Sequence, residues 1–385
     1  MNQINLITAA IILMVILGSP VYLVSQSSLR FQKVVIHQDF ISEGAAVGDV
    51  NNDGAVDIIA GCYWFAAPDW KPHAIFPPKV FDPLKEWSNS FLNFATDVNQ
   101  DGWVDVIRFD FPGQGVYWYE NPKGIKGHWK EHLIDSTACN ESPMMADLDQ
   151  DGRQDLVFGR ESTGEMMWFR AEKKSGKTIW KGYALSEKQA PGTNKFSHGL
   201  GTGDVNNDGR PDVIIRSGWW EAPANRLEMP WKFHSAKLGE PCSQMYAYDF
   251  DGDGDQDILS CSAHAYGIWW HENSGSGFRP HLIDSTFSQT HGVAFQDMNA
   301  DGVPDLVTGK RYFAHMGKDP GGKEPAVLYW IELQQKPNQP PKWIPHLIDD
   351  NSGAGLQVVI ADLNGDGKPD IVNANKKGVI CFIQH

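Results

Sequence analysis

A nine-residue phrase, Asp-x-Asn/Asp-x-Asp-Gly-x-x-Asp, occurs seven times in the 385 residues of this chain. The copies start at Asp49, Asp97, Asp147, Asp204, Asp249, Asp297 and Asp362, at intervals of 45 to 65 residues. A period of that size means radial or stacked units, each too small to bury a core alone. Two other patterns keep step with the phrase. Strand-like pieces precede it, such as Phe31-Gln-Lys-Val-Val-Ile36, Trp129-Lys-Glu-His132 and Trp343-Ile-Pro-His346. A β-branched run such as Val56-Asp-Ile-Ile59 follows, and then an aromatic piece such as Tyr117-Trp-Tyr119.

With the strand leading into the phrase, each unit has four short strands rich in β-branched and aromatic residues. The expected fold is all-β, a seven-bladed β-propeller of four-stranded blades. The last copy ends on its aromatic strand, Val379 to Ile383, and the piece at 31–36 is spare. The N-terminal strand is therefore expected to complete the last blade and remove an open sheet edge.

Positions one, three, five and nine of the phrase carry oxygen side chains in every copy. They are Asp49, Asn51, Asp53 and Asp57; Asp97, Asn99, Asp101 and Asp105; Asp147, Asp149, Asp151 and Asp155; Asp204, Asn206, Asp208 and Asp212; Asp249, Asp251, Asp253 and Asp257; Asp297, Asn299, Asp301 and Asp305; Asp362, Asn364, Asp366 and Asp370. Gly at position six suits a turn with positive φ. Short acidic side chains two apart can wrap a hard cation, so the phrase is expected to bind calcium, several ions per chain. An EF-hand needs Glu at position twelve, where Ala60, Arg108 and Phe158 stand in the first three copies. The liganding positions hold 23 of the 48 acidic residues, so the net charge of −15 is concentrated in the loops. An acidic chain repels nucleic acid, which is excluded as a partner.

Residues 1–30 stand apart. No charge precedes Arg30, and Leu6 to Val24 are almost wholly apolar. Residues 1–30 are expected to be a signal peptide or N-terminal membrane anchor, with residues 31–385 as the propeller. The body is then exported: periplasmic, extracellular, or anchored through residues 6–24 and facing outward. The five cysteines are odd in number and lack CxxC spacing, so neither a disulfide scaffold nor a zinc cassette is expected.

The phrase, its strand context and its recurrence resemble the FG-GAP/VCBS repeats of integrin α-subunit propellers and many bacterial exported proteins. A narrower similarity, to the propeller domain of aldos-2-ulose dehydratase-like proteins, rests on four pieces. These are Ser197-His-Gly-Leu-Gly201, Thr290-His-Gly-Val293, Ser262-Ala-His-Ala-Tyr-Gly-Ile-Trp-Trp270 and Thr308-Gly-Lys-Arg-Tyr-Phe-Ala-His315. The resemblance implies a calcium-loop propeller, and the narrower one implies dehydratase-type chemistry.

Connection parity puts the Asp loops on one face and the second-to-third and fourth-to-first connections on the other. Six positions before each phrase stand Glu43, Phe91, Glu141, His198, Ser243, His291 and Leu356, which would ring the channel mouth. The excursions 76–92 and 309–325 fall on that face too. His198, His264, His291 and Arg160 are the catalytic candidates; Glu141, Lys310, Arg311 and His315 are the ligand-binding candidates. Such residues can bind an anionic or polyhydroxylated ligand, or perform proton abstraction with Arg or Lys stabilising the anion. Three close imidazoles can also hold a second divalent metal. The histidines that recur with the blade, His73, His132, His234, His281 and His346, are expected to be architectural. Two functions follow: a propeller that binds a carbohydrate-type or anionic ligand on this face, with lyase or dehydratase activity as its catalytic form, or a non-catalytic adhesion or protein-interaction propeller.

Overall fold

The computed structural model describes residues 29–336 and 339–385. The apolar run 6–24 and the rest of residues 1–28 lie outside the described residues. Among the described residues the fold is all-β, with one short 3-10 turn at Ala314–Gly317. No helix there is long and apolar enough to cross a membrane.

The strands associate by fours in chain order. Ala46–Gly48, Asp57–Ala60, Tyr63–Ala66 and Lys71–Ala74 form one antiparallel sheet. Thr290–Gln296, Asp305–Lys310, Leu328–Gln334 and Lys342–Asp349 form another. Adjacent units also join. The first strands Leu200–Gly203 and Gln244–Tyr248 pair in parallel, from Leu200↔Gln244 to Thr202↔Tyr246. Val358–Ala361 lies against both Thr290–Gln296 and Ala46–Gly48. The last sheet takes its fourth strand from the other end of the chain. Phe31–His37 runs antiparallel to Gly378–Gln384, with Phe31 opposite Gln384 and His37 opposite Val379.

The second strands, each opening on the buried Asp of position nine, are mostly apolar, and Asp57–Ala60, Asp212–Ile215 and Asp305–Lys310 are buried along their whole length. Such a strand is covered on both faces, which explains its near-continuous apolar run. The aromatic third strands fill the space between units: Trp168 is fully buried, and Phe250 packs on Trp270, Phe295 and Trp343. The recurrent histidines stack on the tryptophan opposite them in the same sheet. Centroid distances are 4.4 Å for Trp64–His73, 4.2 Å for Trp118–His132, 4.2 Å for Trp219–His234, 4.4 Å for Trp270–His281 and 4.2 Å for Trp330–His346. In four of the five, Nε2 also meets a carboxylate, Glu120, Glu221, Glu272 or Glu332. All five cysteines are buried and unbridged.

Two tests follow. Removing residues 31–37 strips the partner from Gly378–Gln384 and leaves a long apolar strand edge. The truncated chain is expected to aggregate or lose its cooperative melt; a monomer that melts like the parent would contradict this. The second concerns His271, buried with Nε2 2.7 Å from Ser260 Oγ. Burial pushes it down from 6.5 to about 4, so the fold holds it neutral. Its contribution is fully present above pH 6.5 and is lost as pH falls toward about 4, by on the order of 3 kcal/mol. His271→Gln is expected to flatten the loss of stability measured by urea unfolding between neutral pH and about pH 5. An unchanged acid slope would refute the assignment.

Candidate functional site

The Asp phrases form one set of loops. Position one accepts the N–H groups of positions five and six, at 3.0 and 2.9 Å from Asp49 and at 3.1 and 3.0 Å from Asp249. The position-six glycines all have positive φ, between 75° and 100° (81° at Gly209, 98° at Gly254), as the turn demands. Position nine has a second role. Its carboxylate is buried and accepts one N–H from position two of its own phrase and one from the end of the third strand. Asp212 takes Val205 at 2.9 Å and Ala222 at 2.7 Å, and Asp370 takes Leu363 at 2.9 Å and Gln384 at 2.7 Å. In the third copy the indole of Trp168 supplies the second donor, at 2.8 Å. Burial pushes Asp105, Asp155, Asp212 and Asp257 up to about 7.

The loops fit a hard cation. Asn99 Oδ1 and Asp149 Oδ1, both at position three, are buried without a hydrogen-bond partner. Carboxylate oxygens of Asp147, Asp149 and Asp155, and those of Asp249, Asp251 and Asp257, lie within 4.8 Å of one another. The loops are not equivalent. Arg170 Nη2 sits 2.8 Å from Asp149 and 3.1 Å from Asp151, and Lys123 sits 3.0 Å from Asp101. The loop of Asp249 has no such ion pair among the described residues.

The opposite ends of the strands hold a different chemistry. A cavity of about 390 Å³ is walled by Trp87, Phe91, Phe111 and Phe196, with Glu141, His198, His264, Arg311 and His315 in its lining. Glu141 and His198 come from chain just before first strands, His264 from a second-to-third connection, and His315 from the excursion 309–325. His198 Nε2 is 3.0 Å from His264 Nε2. Ring centroids of His198 and His291 are 5.7 Å apart, and those of His264 and His291 are 5.0 Å apart. His315 stacks on His264 at 4.6 Å, and its backbone is left-handed at φ 44°. Burial pushes His264 and His291 below the usual imidazole range, His291 well below.

Arg311 is 2% exposed and spans the mouth. It gives Nη2 to Glu43 at 2.9 Å, reaches Glu141 at 3.5 Å with Nη1, and lies 5.0 Å from the centroid of Trp87. The guanidinium is thus committed to two buried carboxylates and is not a free anion holder. Two other sequence candidates also serve elsewhere. Arg160 does not line the cavity: it turns outward over Phe169 and is held by Asp135, 2.8 Å from Nε. Lys310 is buried, and its ammonium donates to the carbonyls of Gly321 and Glu324, tying down the excursion.

Sequence reasoning passed over two groups. Lys376 is buried, 4.0 Å from the Trp87 centroid, and burial pushes it down to about 8. It lies in the second-to-third connection of the last unit, equivalent to the positions that yielded His264 and Arg311, so the signal was available. Asp319 accepts from Gln289 at 3.1 Å and meets His315 Nδ1 at 3.0 Å. Only its membership of the long excursion marked it.

A family model described as "FG-GAP-like repeat" matches residues 97–158, 147–215 and 249–308. The chain carries FG-GAP-like repeats. An alignment of 139 positions that covers 32% of the chain is 30% identical to integrin alpha-7 of Rattus norvegicus, and the same holds for integrin alpha-7 of Mus musculus. The match spans 12% of those relatives' length. Among solved structures, YCF48 from Cyanidioschyzon merolae is similar at a TM-score of 0.48 and 13% identity, over 92% of this chain and 98% of that one. An Agrocybe aegerita lectin, described as recognising non-reducing terminal N-acetylglucosamine, gives 0.47 and 15% over 84% and 82%. Rhamnogalacturonan lyase YesW gives 0.46 and 13% over 92% and 72%. Likenesses this distant carry no argument about function.

The buried pairing of Arg311 makes a test. Arg311→Met leaves Glu43 and Glu141 without their cation and is expected to cost about 3–5 kcal/mol in urea unfolding. Adding Glu43→Gln to Arg311→Met should recover part of that loss. A single variant within about 1 kcal/mol of the parent would show that the pairing carries no weight.

Proposed function

We propose that the chain is a closed seven-bladed propeller, exported and calcium-loaded, that binds a carbohydrate-type ligand in the aromatic-walled cavity. The observation that carries the ligand reading is the lining itself: four aromatic rings around imidazoles and a carboxylate. Flat aromatic faces cover the apolar faces of sugars, while imidazole and carboxylate bond hydroxyls. Arg311 is already neutralised by Glu43 and Glu141, which favours an uncharged, polyhydroxylated ligand over a strong anion. His315, also in the lining and held by Asp319 at Nδ1, can accept at Nε2 a proton next to a carbonyl, the step that a lyase or dehydratase needs.

Strand pairing between the two ends of the chain supports closure. The oxygen-lined Asp loops and the partnerless Oδ1 atoms of Asn99 and Asp149 support calcium. Calcium would set the loops' positions one, three, five and nine around itself and relieve the crowding of carboxylates. The apolar residues 6–24 support export.

An adhesion reading keeps one observation of its own, the similarity to integrin alpha-7. The two separate at Phe196, which is 43% exposed at the cavity rim and packs on Phe111 at 5.4 Å. Phe196→Ala is expected to weaken glycan binding about tenfold in calorimetry without lowering the melting temperature. A glycan panel that binds nowhere, or binds the variant equally, would remove the carbohydrate reading.

Calcium has its own readout. EDTA is expected to lower the melting temperature by several degrees, and added calcium to restore it, since each ion at about a hundredfold excess over its Kd contributes about 2.7 kcal/mol. An EDTA-treated sample with an unchanged melt would overturn the calcium assignment.

A further inference from the structure

Two imidazoles of the cavity lining, His198 and His264, and the buried His291 against them carry more than a ligand-binding role. His198 Nδ1 lies 2.7 Å from the carbonyl oxygen of Phe196. A carbonyl only accepts, so Nδ1 carries a proton and the Nε2 of neutral His198 presents a lone pair. His264 Nδ1 faces the carboxylate of Asp319 at 3.5 Å. A carboxylate also only accepts, which places the proton of neutral His264 on Nδ1 and a second lone pair on Nε2. These two Nε2 atoms stand 3.0 Å apart. Two lone pairs at that distance repel unless a cation lies between them.

A shared proton would satisfy that pair but not the third ring. His291 is 1% exposed, and neither of its ring nitrogens has a hydrogen-bond partner. A buried imidazole left without partners forfeits the hydrogen bonds that it makes in water. One ring nitrogen from each of His198, His264 and His291 falls within a set whose members lie within 4.8 Å of one another. Nitrogens bound to one tetrahedral Zn²⁺ stand about 3.3 Å apart, given bonds of about 2.0–2.1 Å, so small ring rotations bring the three into place.

We propose that His198, His264 and His291 bind one divalent first-row transition ion of the zinc class, with an open position toward the cavity. The carbonyl of Phe196 and the carboxylate of Asp319 orient two of the ligands, the outer hydrogen bonds that metal-binding histidines ordinarily have. Glu141 Oε2, 3.6 Å from His198 Nε2, stands beside the open position. Imidazole nitrogens select such an ion over calcium, which takes oxygen. The site is therefore distinct in chemistry from the Asp loops, and it does not depend on which ligand enters the cavity.

The test uses the full folded protein, stripped with chelator and returned to excess calcium so that the Asp loops are filled. Cobalt(II) is added alone. The expected result is one tightly retained equivalent with the intense visible absorption of a nitrogen-rich, low-coordinate site, displaced by zinc(II). His198→Ala, His264→Gln and His291→Ala should each weaken retention by about a hundredfold or more, and Asp319→Asn by about ten- to a hundredfold. Tryptophan fluorescence and the melt in calcium show which variants are folded; His264→Gln, at a half-exposed position, is the variant least able to disturb the core. A folded parent that retains no cobalt overturns the proposal and leaves a shared proton between His198 and His264. Retention that survives His198→Ala and His291→Ala but is lost in His315→Ala also overturns it, since the ion then lies among His264, His315 and Asp319.

Discussion

The fold depends on one buried carboxylate per repeat. The ninth residue of each phrase leaves the loop, enters the sheet and accepts N–H groups from two segments, the start of its own phrase and the end of the third strand. Asp305 takes Met298 at 3.2 Å and Leu333 at 2.9 Å; Asp57 takes Val50 at 3.0 Å and Ala67 at 2.9 Å. Each bond to an ionised acceptor contributes on the order of 1.5–3 kcal/mol, and a buried donor left without its acceptor costs about as much. The same carboxylate therefore shapes the loop and locks the third strand. Desolvation opposes its charge, as the raised values at Asp105 and Asp212 show. A cation in the loop would lower that cost, so the sheet and the loop share one electrostatic problem.

The strands were legible because the phrase is local and repeated. Its glycine, its β-branched run and its aromatic strand recur in one order, and each needs only its neighbours to be read. The stacked Trp–His pairs were legible for the same reason. The backbone at position four was not: it takes positive φ at Asn52, Gln100, Ala300 and Gly365 alike, residues with no shared preference for it.

The cavity was legible as a face but not as a set of pairings. Parity places His198, His264 and His291 at one end of the strands, and the structure brings their rings within 6 Å centroid to centroid, at 4.6, 5.7 and 5.0 Å. Parity does not say which way a side chain turns. Arg160 is on the same face but finds Asp135 within reach, and Phe169 offers its guanidinium a ring at 5.3 Å. Arg311 finds Glu43 across 268 residues of chain, a contact for which no local pattern exists. Lys310 is spent on carbonyls of its own excursion, a loop whose path the sequence left open.

The pairing of Phe31–His37 with Gly378–Gln384 also fixes an order of events. Phe31–His37 has no partner until Gly378–Gln384 has emerged, so it must wait unpaired while the intervening units are synthesised. Loop closure over that span comes late and slowly compared with the hairpins inside each unit. A chain cut short anywhere before Gly378 therefore keeps an orphaned first strand, a standing mark of incompleteness that a protease or chaperone can read.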